Sequence, residues 1–139
     1  MPRLLGPAQW TEIAMDGSAL PVATMLLFHD PATHHRRLLV RFPAGFERSE
    51  VGSYQTRERF LVLAGSLTIG RQELVPGNLL DVGAGVLRDR TLAPHGALTL
   101  VSFDARPQWA AAAPSTATEP LPLRHLQPPD EFCARFWDL

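Results

Sequence analysis

At 139 residues the chain has room for one domain with a real core, and its composition, 45% hydrophobic and 19% charged with a formal net charge of -1, is that of a globular protein. So even a balance excludes the strongly basic surface that nucleic acid or an anionic membrane demands, while a phosphate-bearing small ligand stays compatible. All 13 basic residues are arginine, which rules out Schiff-base and P-loop lysine chemistry, and the single Cys133 rules out an intrachain disulfide or a CxxC metal knuckle.

The opening segment MPRLLGPAQW lacks the long apolar core of a secretory leader, and no apolar run approaches membrane-spanning length, so a cytoplasmic protein is expected. Trp10 and Ile13 anchor a first edge strand or arm, which ends at the Asp16-Gly17 turn. The run from Ala19 to His29 is apolar enough for a strand, with Pro21 confined to its edge or end. After Asp30-Pro31, the residues RRLLVRF from Arg36 to Phe42 set Leu38, Val40 and Phe42 against Arg37, Leu39 and Arg41, one apolar face and one mixed.

Arg59 to Ala64 is the clearest strand, closed by Gly65, with Ser66 to Ile69 expected as its hairpin partner. Short strands follow at Glu73 to Val75 and Leu79 to Val82, and Arg88 to Leu92 and Ala97 to Phe103 are read as closing strands around the Pro94-His95-Gly96 turn. Short strands at this spacing, with no helix before the tail, predict an all-β barrel; a sandwich of two sheets fits the same signals.

Beyond Asp104 the character changes. Ala and Pro dominate from 108 onward, and the end, PPDEFCARFWDL, places Phe132, Phe136 and Leu139 at helical spacing behind Pro129. The expected organisation is therefore one domain over residues 1–107, including the N-terminal arm, followed by an extension over 108–139. That extension ends in a short amphipathic helix that packs on the barrel or on a partner subunit. Cys133 reads as a small apolar helix residue.

Between Gly45 and Leu92 two spaced patterns stand out. Glu58 is followed by six residues, RFLVLA, and then Gly65; further on come Gly77, Gly83 and Gly85, with RFPAG, VLAG and PGN steps alongside. This arrangement resembles the cupin family, small RmlC-like jelly rolls whose first motif carries two histidines and a glutamate and whose second carries a histidine. The resemblance implies a single-domain, all-β cupin-type jelly-roll barrel. It covers about two thirds of the chain.

The family's metal ligands are where the match fails. The two histidine positions of the first motif fall on Val51 and Ser53, or on Gly52 and Tyr54, and that of the second on Arg88, with Leu92 where asparagine is usual. Of the four implied ligands only Glu58 remains, and one carboxylate beside a guanidinium is a poor offer to a divalent metal. No cofactor is expected, the metal site is read as none, and Glu58 is expected to pair with Arg88. A rebuilt metal site using His29, His34 or His35 with Glu58 is the alternative.

The expected catalytic candidates are Glu58 and Tyr54, either of which could move a proton. The expected ligand-binding residues are Ser53, Arg57, which lies with Tyr54 at the barrel mouth, and Arg88 and Arg90, which share one strand face and make a receptor for a carboxylate or phosphate if that face is the lumen, or a solvated surface if it is not. Equally compatible is a Glu58–Arg88 pair left over from a lost metal site, satisfying a buried charge and nothing more.

Three functions fit these residues. One is a small-molecule-binding, metal-independent protein for an organic anion, which as an enzyme would be an isomerase, cyclase or lyase. Another is a non-enzymatic sensor or assembly module, on the resemblance to regulatory cupin domains. The last is a metal-dependent dioxygenase with a rebuilt site. A homodimer is expected, because an open sheet edge and an apolar tail suit one.

Overall fold

The computed structural model describes residues 10–113 and 116–126. The helix expected near the C-terminus lies outside the described residues, among which there is no helix of any kind. Thirteen strands are described. In the first half these are β1 (Thr11–Ile13), β2 (Val22–His29), β3 (Arg36–Phe42), β4 (Phe46–Arg48), β5 (Gly52–Tyr54), β6 (Glu58–Gly65) and β7 (Leu67–Ile69). The remainder are β8 (Gln72–Leu74), β9 (Asn78–Val82), β10 (Thr91–Ala93), β11 (Ala97–Phe103), β12 (Trp109–Ala111) and β13 (Leu123–His125).

A seven-stranded sheet in the order β1-β2-β3-β11-β6-β9-β13 faces a four-stranded sheet, β4-β10-β7-β8, and a two-stranded ribbon, β12-β5. All pairings are antiparallel. The jelly roll is therefore open: among the described residues the sheets face one another without closing into a hydrogen-bonded barrel.

The period-2 alternation read from the sequence builds the core. Val40, Thr99 and Val62 lie side by side across β3, β11 and β6, and Leu38, Val101, Phe60 and Leu80 form the next row. Against these inward residues the small sheet sets Phe46, Leu67, Ile69 and Leu74, all buried in one cluster. The opposite face of the large sheet holds a second, smaller cluster of Leu61, Leu79 and Leu126, so the extension after 108 packs against the sheet as well as pairing with it through β13. Burying both faces of a central strand such as β6 explains why RFLVLA reads as a continuous apolar run.

Two expectations about strand pairing are corrected. Ser66 to Ile69 is not the hairpin partner of the preceding strand: β6 lies between β11 and β9, whereas β7 pairs with β10 and β8 in the other sheet. Gly65, at φ 71°, is the corner where the chain changes sheets. Nor does the closing strand start at Arg88. Regular pairing begins only at Thr91, and Arg88 is held by an isolated bridge to Gly52.

Candidate functional site

The inner face of β6 begins with Glu58, whose neighbours in register are Phe103 on β11 and Val82 on β9. Glu58 is thus the first residue of an otherwise apolar inward row, 7% exposed. A carboxylate in such a place needs a partner, and Arg88, 5% exposed, supplies it: its Nη1 donates to Glu58 Oε1. The bridge to Gly52, with Arg88 N donating to Gly52 O at 2.7 Å and Gly52 N to Arg88 O at 3.2 Å, fixes the backbone from which this guanidinium enters.

A second buried guanidinium stands beside the first. On β4 the order Phe46-Glu47-Arg48 alternates in, out, in, so Arg48 points where Phe46 does and is 4% exposed. Its Nε donates to Asp16 O at 3.0 Å and its Nη2 to the Tyr54 hydroxyl at 3.1 Å. Its Cζ lies 4.0 Å from the centre of the Trp109 ring, a close cation–π contact. Arg48 forms no ion pair among the described residues, whereas Arg88 forms one.

Tyr54 joins the two. The Cζ of Arg88 lies 4.8 Å and that of Arg48 5.5 Å from its ring centre, and Phe103 and Trp109 meet the ring edge-on at 5.2 Å each. Trp109 reaches this place because β12 pairs with β5 directly over Gly52, where a Cβ would come within 2.5 Å of the indole. Its Nε1 donates to Glu50 Oε1 at 2.8 Å, which sets the ring's orientation.

These groups line two adjoining cavities. The inner one, about 40 Å³, is bounded by Glu58, Arg88, Arg48 and Tyr54 together with core residues. The outer one, about 410 Å³, shares Glu58, Arg48 and Tyr54 and adds Trp109, Phe103 and the inner face of β2 and β3. A larger groove of about 470 Å³ runs past Arg41 and His95 at the far corner, but Arg41 is stacked on Trp10 at 4.5 Å and the groove contains no buried charge. The chemistry lies between the sheets.

Solved structures of similar fold include an acetylacetone dioxygenase from Acinetobacter johnsonii, 13% identical with a TM-score of 0.61 over 71% of this chain and 70% of that one. An RmlC-like cupin protein from Ralstonia eutropha is 12% identical with a TM-score of 0.59, covering 82% and 73%. The fold is a cupin fold. A chain in the complex of Rhodobacter sphaeroides SigE with the anti-sigma ChrR is also similar, at 16% identity and a TM-score of 0.56, covering 73% of this chain and 52% of that one. No protein-family model matches the sequence, and no curated protein sequence does either.

The cupin resemblance implies a divalent metal at the glutamate, and the donor set here does not fit one. Around Glu58 stand two guanidiniums and a phenol, so a dication would face two fixed positive charges with one carboxylate. Among the described residues no three His, Cys, Asp or Glu side chains gather to hold an ion. The histidines of the alternative site are elsewhere. His29 ends β2 exposed, its Nε2 3.4 Å from His34 Nδ1, and His35 Nε2 lies 3.1 Å from Ser102 Oγ. None of the three lines either cavity.

Three sequence-derived binding residues also fall outside the site. Arg90 does not share a face with Arg88: it is exposed, its Nη1 3.7 Å from Glu47 Oε1. The reason is that the Arg88 bridge is isolated, so no continuous strand carries the two side chains inward together. Arg57 lies on the outer face, where its Nε donates to Asp81 Oδ1 at 2.7 Å and its Nη2 to Asp81 Oδ2. That hydrogen bond holds the Asp81 carboxyl below its ordinary value, against the opposing effect of burial. Ser53 is buried but alternates away from Tyr54, accepts from Gln55 Nε2 at 3.4 Å and lines neither cavity.

Two residues of the site were missed. Arg48 was legible as the second inward position after Phe46 in the FER triplet. Trp109 left no signal of its own, because its position depends on a pairing between segments more than fifty residues apart.

Burial pushes the Tyr54 phenol above its ordinary pKa of 10.0, with Arg48 pulling the other way. The native state then holds this proton more tightly than the unfolded chain. The stability it contributes is complete below 10.0 and is lost as pH rises through the higher native value. Since the chain has one tyrosine, tyrosinate absorbance reports it alone. In an alkaline titration of the folded protein the absorbance should rise at higher pH than in urea-unfolded protein; coincident curves would contradict the buried placement.

Proposed function

We propose that the protein binds a small organic anion between its two sheets, without a metal. The observation that carries this reading is the imbalance of buried charge: Arg48 and Arg88 share the cavity walls with a single carboxylate, Glu58. Moreover, the Arg88 Nε and Nη2 are buried without a hydrogen-bond partner. A site with a surplus cation and unsatisfied donors is stabilised by an oxyanion, which supplies the missing charge and acceptors. Tyr54 accepts from Arg48, so its hydroxyl hydrogen remains to donate to the same guest.

As an isomerase, cyclase or lyase, the protein would use Glu58 or Tyr54 to move a proton at the bound anion. Glu58 Oε1 is already engaged by Arg88, and Tyr54 is held neutral, so the arrangement is better suited to holding a guest than to deprotonating one. That favours a non-enzymatic sensor as the second reading.

Thermal unfolding of the wild-type chain in acetate, formate or phosphate, against chloride at equal ionic strength, tests the proposal. At least one of the three should raise Tm through mass action, and Arg88→Gln should remove the rise while keeping its own cooperative transition. Equal Tm in all four salts would refute it.

A further inference from the structure

Resting on the anion-binding reading above, we infer that the natural guest is an amphipathic monocarboxylate: one carboxylate head on the two guanidiniums and an apolar body of about ring size.

The head follows from charge and geometry. Of the buried charged groups around the two cavities, Arg48 and Arg88 are positive and Glu58 negative, leaving room for one further negative charge; Asp16 at the rim is exposed. A phosphate dianion or a dicarboxylate would bring a charge with no counterpart. The unpartnered donors of Arg88 are Nε and Nη2, the side-on edge that takes both oxygens of a carboxylate at once. At about 40 Å³ the inner cavity holds roughly two or three waters, or the two oxygens of one carboxylate.

The body follows from the outer cavity. Its lining is largely apolar, with Val22, Leu38, Val40 and Phe103 on the large sheet and Tyr54 and Trp109 on the ribbon. The buried hydroxyls nearby are engaged with the backbone, that of Thr24 donating to Thr11 O at 3.3 Å and that of Thr99, in the inner cavity, to Val40 O at 3.2 Å, while the other polar side chains of the outer cavity beyond Arg48, Glu58 and Tyr54, those of Asp16 and Gln108, are exposed at its rim. At about 410 Å³ the space fits a guest of some six to ten carbons. Apolar walls reward each buried methylene and repel a second charge.

The test is calorimetric titration of the purified full chain with acetate, butyrate, hexanoate, benzoate, adipate, inorganic phosphate, hexanamide and benzamide. Hexanoate should bind roughly fifteenfold more tightly than butyrate, from the methylene increment. Benzoate should bind, while both amides and adipate should be at least tenfold weaker than their monocarboxylate counterparts. Leu38→Trp, which fills the outer cavity, should weaken hexanoate and leave acetate unchanged. Arg48→Met, checked for folding by circular dichroism, should lose every carboxylate; should it not fold, the Leu38→Trp comparison decides.

Phosphate or acetate binding as tightly as hexanoate would overturn the ligand class while leaving an anion site in place. Binding of the amides as tightly as the acids would overturn the carboxylate assignment. If no anion binds at all, the anion-binding reading falls with it.

Discussion

Glu58→Leu should cost about 3–5 kcal/mol of folding stability, and more than Arg88→Met at the same site. Removing the carboxylate leaves Arg88 and Arg48 buried around one cavity with no negative charge between them, and the pair cannot retreat to solvent at 5% and 4% exposure. Removing Arg88 leaves Glu58 with Arg48 still on the same cavity wall, so part of the compensation survives. The double variant Glu58→Leu/Arg88→Met should recover much of the single loss, since a well-packed apolar replacement of a buried ion pair is close to neutral. Urea unfolding gives these differences directly. The charge accounting is wrong if Arg88→Met proves the more damaging of the two. Because an anion in the cavity restores the missing charge, carboxylate should also raise the Tm of Glu58→Leu more than that of the wild type.

Gly65→Ala should destabilise by roughly 3 kcal/mol or more, enough to prevent folding of a marginal domain. The residue lies at φ 71°, where an L side chain is strained, and its Cβ would stand 2.2 Å from Gly96 O and 2.9 Å from Ala97 Cα. Both are backbone atoms of the turn that starts β11, so relief means separating β6 from β11 at the centre of the large sheet. Gly45→Ala is the control: at φ 83° it carries the same backbone penalty, but nothing lies within 4 Å of the added methyl. It should cost only about 1 kcal/mol. Equal losses at the two glycines would show that packing at the corner contributes nothing.

Much of the fold is local in origin and was legible. The strand Arg36–Phe42 stands where its alternation places it, and the strand Ala97–Phe103 where the Pro94-His95-Gly96 turn does. Glu58 and Arg88 could be matched because each occupies a spaced motif position and their charges are opposite. Arg90 failed as a partner because period-2 reasoning assumes a continuous strand, and between Arg88 and Thr91 regular pairing is absent. Ser66 to Ile69 failed as a hairpin because Gly65 signals a sharp turn without saying whether the chain reverses within its sheet or crosses to the other.

The sequence by itself determined the all-β character, Glu58 as the one motif ligand retained, and the absence of lysine and of a motif histidine. These are properties of residue type and short-range period. Only the tertiary structure decided that Arg48 and Trp109 complete the site, and that Arg57, Arg90 and the histidines do not. It also decided that Arg88 is left with two unpaired donors. The physical reason is that a charged side chain is placed by its pairing partners: antiparallel register brings residues from β4, β5, β6 and β12 to one point, and that register depends on contacts dozens of residues apart.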